Sequence, residues 1–395
     1  MQILRCAGGS SARRVRSRGA ARIGWAAACL GLLLAAALPA AAQSPPGPSR
    51  PTGQTPPGAR PAPGAPGQAP AAPIRIKVIG GLAGVSQYLR YEAPFWSQRL
   101  PELTQGRMTA EIEPSDRSGI RPAEMLHLMR LGVVPFGTLL LATSSADEPE
   151  LAGGDLPILN PDMRRLRENT EAYRPRIVRN LAENYDIEVL AIYAYPSQVL
   201  FCTRPFTSLS DLGGRRIRTS SVGQADIVTA LGAISVVMPF AETVNAVRNG
   251  QVECAITGSL SGNAVGLSEV TNYVHRLAIT WGLSVFGAHR PSWNALPADL
   301  RETLRRNITE LEGQVWSGAE LETEEGFACN TGQPGCQSGR PGRMQIVPVS
   351  EEDERRRRLL LRDVVLPSWI DRCGPGCVDA WNETLAGSVG ISARP

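Results

Sequence analysis

Residues 209–257 read LSDLGGRRIRTSSVGQADIVTALGAISVVMPFAETVNAVRNGQVECAIT, and this stretch decides the architecture of the chain. Ser208 or Ser210 starts an Asp211-Leu-Gly-Gly214 turn that throws the chain into a short strand ending at Arg218. A helix over 224–231 follows, then a second strand, a second helix and a third, apolar strand. In an alternating strand Arg216 and Arg218 share one face and Ile217 takes the other. Thr219, Ser220 and Ser221 supply hydroxyls where the strand meets the helix N-terminus. A guanidinium fork beside a helix N-terminus suits a carboxylate, because both donate N–H groups and both favour negative charge. The competing reading is a surface arginine paired with a nearby acid.

The same alternation extends outward. Residues 74–79 form a strand that breaks at Gly80-Gly81, and 108–113 form another, ended by Pro114. Between them, 88–103 has helical spacing, with Tyr88, Tyr91, Phe95 and Trp96 as core aromatics. Pro122 opens a helix that ends near Gly132, and the apolar run 133–142 reads as a strand covered on both faces. After a Pro- and Gly-punctuated connection, 163–184 is one amphipathic helix bent at Pro175. Residues 187–195 and 198–204 are strands divided by Pro196-Ser197, nearly continuous, as suits a chain crossing between lobes. Strands over 270–278 and 283–289, a helix over 298–324, a strand over 343–349 and a helix over 351–370 complete the pattern. This is α/β architecture with mainly parallel pairing, and about 320 residues exceed a single comfortable core, so two lobes are expected.

The first 73 residues stand apart. Arg5, Arg13, Arg14, Arg16, Arg18 and Arg22 precede an apolar run over 23–38 and a small-residue cleavage site before Gln43, the architecture of a secretory signal peptide over 1–42. A retained anchor is the alternative, but the run is short for a bilayer span. Residues 43–73 are almost entirely Pro, Gly, Ala, Gln and Ser, a tether that cannot bury apolar surface. Eight of the 41 basic residues fall in residues 1–73 and none of the 37 acidic ones, leaving 33 basic against 37 acidic side chains. A mildly acidic body argues against nucleic acid or an anionic membrane surface as partner.

Two of the eight cysteines lie in the leader. Cys329, Cys336, Cys373 and Cys377 are disulfide candidates in an exported chain, with the pairing open, and a four-cysteine zinc site is the sharper alternative. Cys202 and Cys254 lie in apolar strands and read most simply as buried free thiols that pair only if the strands are neighbours.

No catalytic set assembles. His127, His275 and His289 fall in different elements, Gly258-Ser-Leu-Ser-Gly262 puts serine out of register for a nucleophile elbow, and neither a Walker loop nor a dinucleotide fingerprint is present. The chain reads as a non-enzymatic binding protein without cofactor or metal.

The pattern D-L-G-G-R-R-I-R-T, then A-L-G-A, then V-M-P-F-A-E-T-V-N-A-V-R-N-G-Q-V-E resembles the periplasmic solute-binding proteins of TRAP transporters, the dicarboxylate-binding type. Ala123-Glu-Met-Leu, Leu131-Gly-Val-Val, Leu156-Pro157, Phe201 with Arg204-Pro205, and Trp293-Asn-Ala-Leu-Pro-Ala-Asp-Leu300 fit the same family. The resemblance implies a two-lobed periplasmic-binding-protein-like fold with mixed sheets, the lobes joined by crossing strands and a long helix. It implies a periplasmic receptor that closes on a small organic acid and delivers it to an ion-driven membrane permease. The family's carboxylate anchor falls on Arg218, and Met238-Pro239-Phe240 matches the cleft-lining segment, with Phe240 as a wall. Gln198 stands where many members carry a second arginine, and Ala255-Ile-Thr257-Gly where a ligand-contacting Asn is usual. Losing one cation and one amide makes a monocarboxylate the expected ligand.

The ligand-binding candidates are therefore Arg218, Phe240, Thr257, Gln198, Ser220 and Trp281, the last equally suited to the core. Lobe 1 is expected over 74–197, with part of 283–325 returning to it, and lobe 2 over 198–282. A cysteine-bearing insert over 326–342 and a C-terminal strand with helices over 343–395 follow. The alternatives are a receptor serving a periplasmic sensor and an exported zinc- or cysteine-based module with enzymatic activity.

Overall fold

The computed structural model describes residues 72–394, so the signal peptide expected over 1–42 and nearly all of the tether expected over 43–73 lie outside the described residues. Its strands are β1 (Ile74–Gly80), β2 (Met108–Pro114), β3 (Phe136–Leu140), β4 (Ile187–Tyr193), β5 (Gln198–Cys202), β6 (Arg216–Thr219), β7 (Ile234–Val237), β8 (Cys254–Gly258), β9 (Tyr273–His275), β10 (Ser284–His289) and β11 (Gln345–Val347). They form two sheets, one ordered β2-β1-β3-β10-β4 and the other β11-β9-β5-β8-β6-β7.

Each sheet is mixed for the same reason. Strands built from local strand–helix–strand units pair in parallel: β1 with β2 and β3, and β6 with β7 and β8. The strands that enter from the other sheet run against them. β10 arrives from the second sheet and pairs antiparallel with β3 and β4. β5 arrives from the first and pairs antiparallel with β8 and β9. β11 joins the edge of the second sheet parallel to β9, so the expected parallel pairing is present, but it shares both sheets with antiparallel pairs at β10 and β5.

The crossing between sheets is short and double. Residues 194–197 alone separate β4 from β5, where Pro196-Ser197 suggested a crossing. The returning chain runs beside it: the Gln198 amide donates to the Thr280 carbonyl at 2.7 Å, and the Ile279 amide to the Gln198 carbonyl at 2.8 Å. A helix over Ala298–Thr331 spans both sides. Trp316 Nε1 donates to Ile192 O on β4 at 2.8 Å, and one end of Asn330 donates to Ser259 O beyond β8 at 2.9 Å. Where this helix meets the helix Ser259–Ala264, Gly326 is required, since a β-carbon there would lie 2.3 Å from the Leu260 nitrogen.

Several element bounds differ from the sequence reading. The run 133–142 contains only the five-residue β3, because the chain turns at Gly132 in a left-handed conformation and Val133 is 65% exposed. The long helix continues past Glu324 to Thr331 and stops at left-handed Gly332, so Cys329 is helical. The free-thiol reading of Cys202 and Cys254 is overturned. β5 and β8 are neighbours, the two residues lie directly opposite, and they form a disulfide across a Cα separation of 4.1 Å. Cys329 pairs with Cys336 and Cys373 with Cys377, which leaves those four sulfurs no common zinc site.

One polar joint docks the C-terminal helices onto the stretch quoted first. Asp353, wholly buried, accepts from the Leu209 amide at 2.8 Å and from the Ser350 amide and hydroxyl at 3.0 and 2.7 Å, and faces His275 Nε2 at 3.5 Å. Burial raises its carboxyl, but the His275 ring and these donors outweigh it and hold the group well below the usual carboxylate range. A carboxyl depressed in the folded state contributes stability that is complete above its unfolded value of about 4 and is lost as pH falls through the folded value. Thermal melts from about pH 7 to about pH 3 should show Tm falling at the acid end, less steeply in Asp353→Asn. That variant should lose about 2–4 kcal/mol at neutral pH. Parallel acid profiles in the two proteins would remove Asp353 as a source of the acid sensitivity.

Candidate functional site

The carboxyl ends of strands from both sheets open onto one cavity of about 410 Å³. This is where ligands bind in open α/β sheets, because strand ends there give way to loops and helix N-termini. The segment after β1 contributes Leu82 and Val85, and the end of β3 contributes Leu140 and Ala142. The two crossing segments contribute Tyr195, Gln198 and Gly282. From the second sheet come Arg218 within β6 and Ser220 just after it, Met238 and Phe240 after β7, and Thr257 at the end of β8.

Arg218 dominates the floor. It is 2% exposed and central in a parallel trio, with β7 on one side and β8 on the other. Its Nε and Nη2 both donate to Met238 O, at 3.1 and 2.9 Å, and Nη1 donates to Ile256 O at 2.8 Å. Neighbouring strand carbonyls thus hold the guanidinium in place. No carboxylate among the described residues pairs with it, and burial pushes its pKa down to about 10, leaving it charged at neutral pH. Arg216, two residues earlier, is exposed and turned to Gly250 O and Gln251 O, each at 2.9 Å. Strand alternation does place the pair on one face, but only Arg218 reaches beneath the cleft.

A connected amide network borders the arginine. Ser221 caps the helix Val222–Ala230 by accepting from the Gln224 amide. The Gln224 side chain then joins both crossing segments: its Nε2 donates to Gln198 Oε1 at 2.8 Å and to Thr280 Oγ1 at 3.0 Å. Its Oε1 accepts from the Ser220 amide at 2.9 Å and hydroxyl at 3.1 Å. Gln224 is fully buried and was missed in the sequence, although Ser221-x-x-Gln224 has the spacing of a helix-capping box.

Five of the six candidates, Arg218, Phe240, Thr257, Gln198 and Ser220, line the same cavity. Trp281 does not. It is 4% exposed, its indole donates to Asn160 O at 3.0 Å, and it belongs to the core. Its backbone amide and that of Gly282 donate to Asp155, at 2.9 and 2.8 Å. Burial pushes the Asp155 carboxyl up to about 6 against the opposing pull of those donors. The turn so held presents Gly282 to the cavity. The apolar wall from the first sheet was also missed, since Leu82, Val85 and Leu140 carry no chemical signature that separates a cleft from a core.

Gly282 has φ +78°, and a β-carbon there would lie 2.6 Å from Gln198 Nε2. Gly282→Ala should therefore lose about 2 kcal/mol in chemical denaturation, part from the left-handed backbone and part from displacing the Gln198 amide. An unchanged unfolding midpoint would show that the crossing tolerates a side chain at this position.

Residues 82–331 match the family DctP, described as bacterial extracellular solute-binding protein, family 7. A solute-binding protein of Roseobacter denitrificans is 24% identical over 200 residues, 50% of this chain and 61% of the relative. The C4-dicarboxylate-binding periplasmic protein DctP of Rhodobacter capsulatus is 26% identical over 235 residues, 57% of this chain and 68% of the relative. Among solved structures, DctP7 of Bordetella pertussis, an extracytoplasmic solute receptor binding pyroglutamic acid, superposes with a TM-score of 0.70. That match covers 78% of this chain and 99% of the other at 18% identity, a likeness of fold.

Proposed function

Because the chain belongs to the DctP-type family of TRAP solute-binding proteins, we propose that it is an extracytoplasmic receptor that captures a small organic acid on Arg218. It then presents that acid to the membrane subunits of a TRAP transporter. The observation that carries the reading is the buried, unpaired guanidinium. Burying a charge is costly, and a cation is retained in a cleft without an acid partner when the acid comes with the ligand. Of its five N–H groups, three go to backbone carbonyls. One remains on each terminal nitrogen, the pair that can meet both oxygens of a carboxylate.

The surroundings support the same reading. The N-terminus of the helix Val222–Ala230 opens toward the cavity, where its dipole favours an anion. Phe240 is half-buried on the far side of Met238-Pro239 and forms an apolar wall. Thr257 and Ser220 bring hydroxyls within the same space. The Bordetella pertussis protein of like fold binds pyroglutamic acid, a small acid with a single carboxylate. Such receptors close by moving one lobe against the other, and the paired crossing segments are the place where that hinge would lie.

A thermal-shift screen against mono- and dicarboxylic organic acids tests the proposal. An acid present at about a hundred times its Kd should add about 2.7 kcal/mol of stability. Arg218→Lys keeps the positive charge but loses the planar fork, and should weaken that acid's binding by at least about 30-fold in calorimetry. Undiminished affinity in a folded Arg218→Lys protein would sink the anchor role.

A further inference from the structure

We infer that the ligand is an acid with one carboxylate and an apolar body, an inference that rests on the reading of Arg218 as the carboxylate anchor. The charges around the cavity are few. Among the described residues lining it there is no acid, and the cations are Arg218 and Arg121. Arg121 sits at the mouth with its side chain 80% exposed, hydrogen-bonded to Glu124. It is solvated and already answered by an acid, so it offers a second carboxylate little that water does not.

The polar groups nearest the anchor are equally committed. Gln198 Oε1, both functional ends of Gln224, Thr280 Oγ1 and the Ser220 hydroxyl are bonded to one another. Outside that network Thr143, Tyr195, Ser221, Thr257 and Ser261 bring hydroxyls to the lining, none of them charged. The rest of the facing wall is apolar. Leu82, Val85 and Leu140 come from the first sheet, and Val237, Met238 and Phe240 from the second. A second carboxylate among these side chains would be stripped of water with no cation to replace it. An alkyl or aryl group would gain from leaving water instead. The cavity, at about 410 Å³, has room for such a body beyond the carboxylate itself.

Isothermal titration of the purified protein at neutral pH with hexanoate, phenylacetate, adipate and hexanamide tests this, with Arg218→Lys as a control. Hexanoate and adipate have the same carbon count and differ by a terminal methyl against a second carboxylate. Hexanoate or phenylacetate is expected to bind at least about 30-fold more tightly than adipate, and hexanamide at least about 30-fold more weakly than hexanoate. Adipate binding as tightly as the monocarboxylates, and lost in Arg218→Lys, overturns the inference while leaving the anchor intact. Hexanamide binding as tightly as hexanoate overturns the anchor itself. Failure of both apolar monocarboxylates to bind also overturns the inference.

Discussion

A single buried guanidinium sets the terms for the second sheet. Arg218 is charged, almost wholly removed from water and unmatched by any acid among the described residues. It is tolerable only because the strands beside it turn two carbonyls, Met238 O and Ile256 O, onto three of its N–H groups. Those carbonyls are where they are because β6 lies between β7 and β8 in parallel register. The disulfide between Cys202 and Cys254 covalently ties β8 to β5 on the other side. Strand order, register and cross-link thus converge on the orientation of one side chain.

The second constraint is the double crossing. Two segments pass between the sheets side by side and hydrogen-bond to each other at Gln198, Ile279 and Thr280. Gln224 clamps both from a helix of the second sheet, while Asp155 holds the return turn at Trp281 and Gly282. The same residues that join the lobes therefore border the cavity. A change in the angle between the sheets would therefore reshape the space above Arg218 directly, without a separate relay.

Much of the fold was legible in residue pattern. The turn–strand–helix–strand–helix–strand order of residues 209–257 matches the observed elements, and the crossing at Pro196-Ser197 falls where β4 passes to β5. These readings rest on local physics: glycine turns, alternation, and helical spacing. Failures came where a long-range partner decides the outcome. The run 133–142 looked like one buried strand because composition cannot show that Gly132 turns the chain and leaves Val133 exposed. Cys202 and Cys254 looked like free thiols because the adjacency of β5 and β8 is a fact of topology. Trp281 looked like a possible cleft residue because an aromatic after a strand suits a core equally well.

For this protein the sequence by itself determined the element order, the family and the position of the arginine at the end of a strand. Those depend on neighbours within a few residues and on short motifs at set spacing. Only the tertiary structure decided that Arg218 is buried without an acid, whereas Arg216, two residues away, is exposed. It also decided that Gln224 joins the two crossings, and that the facing wall is apolar. Burial and pairing depend on residues far apart in the chain, and the field at a charged group depends on how much water and which partners the whole fold leaves around it.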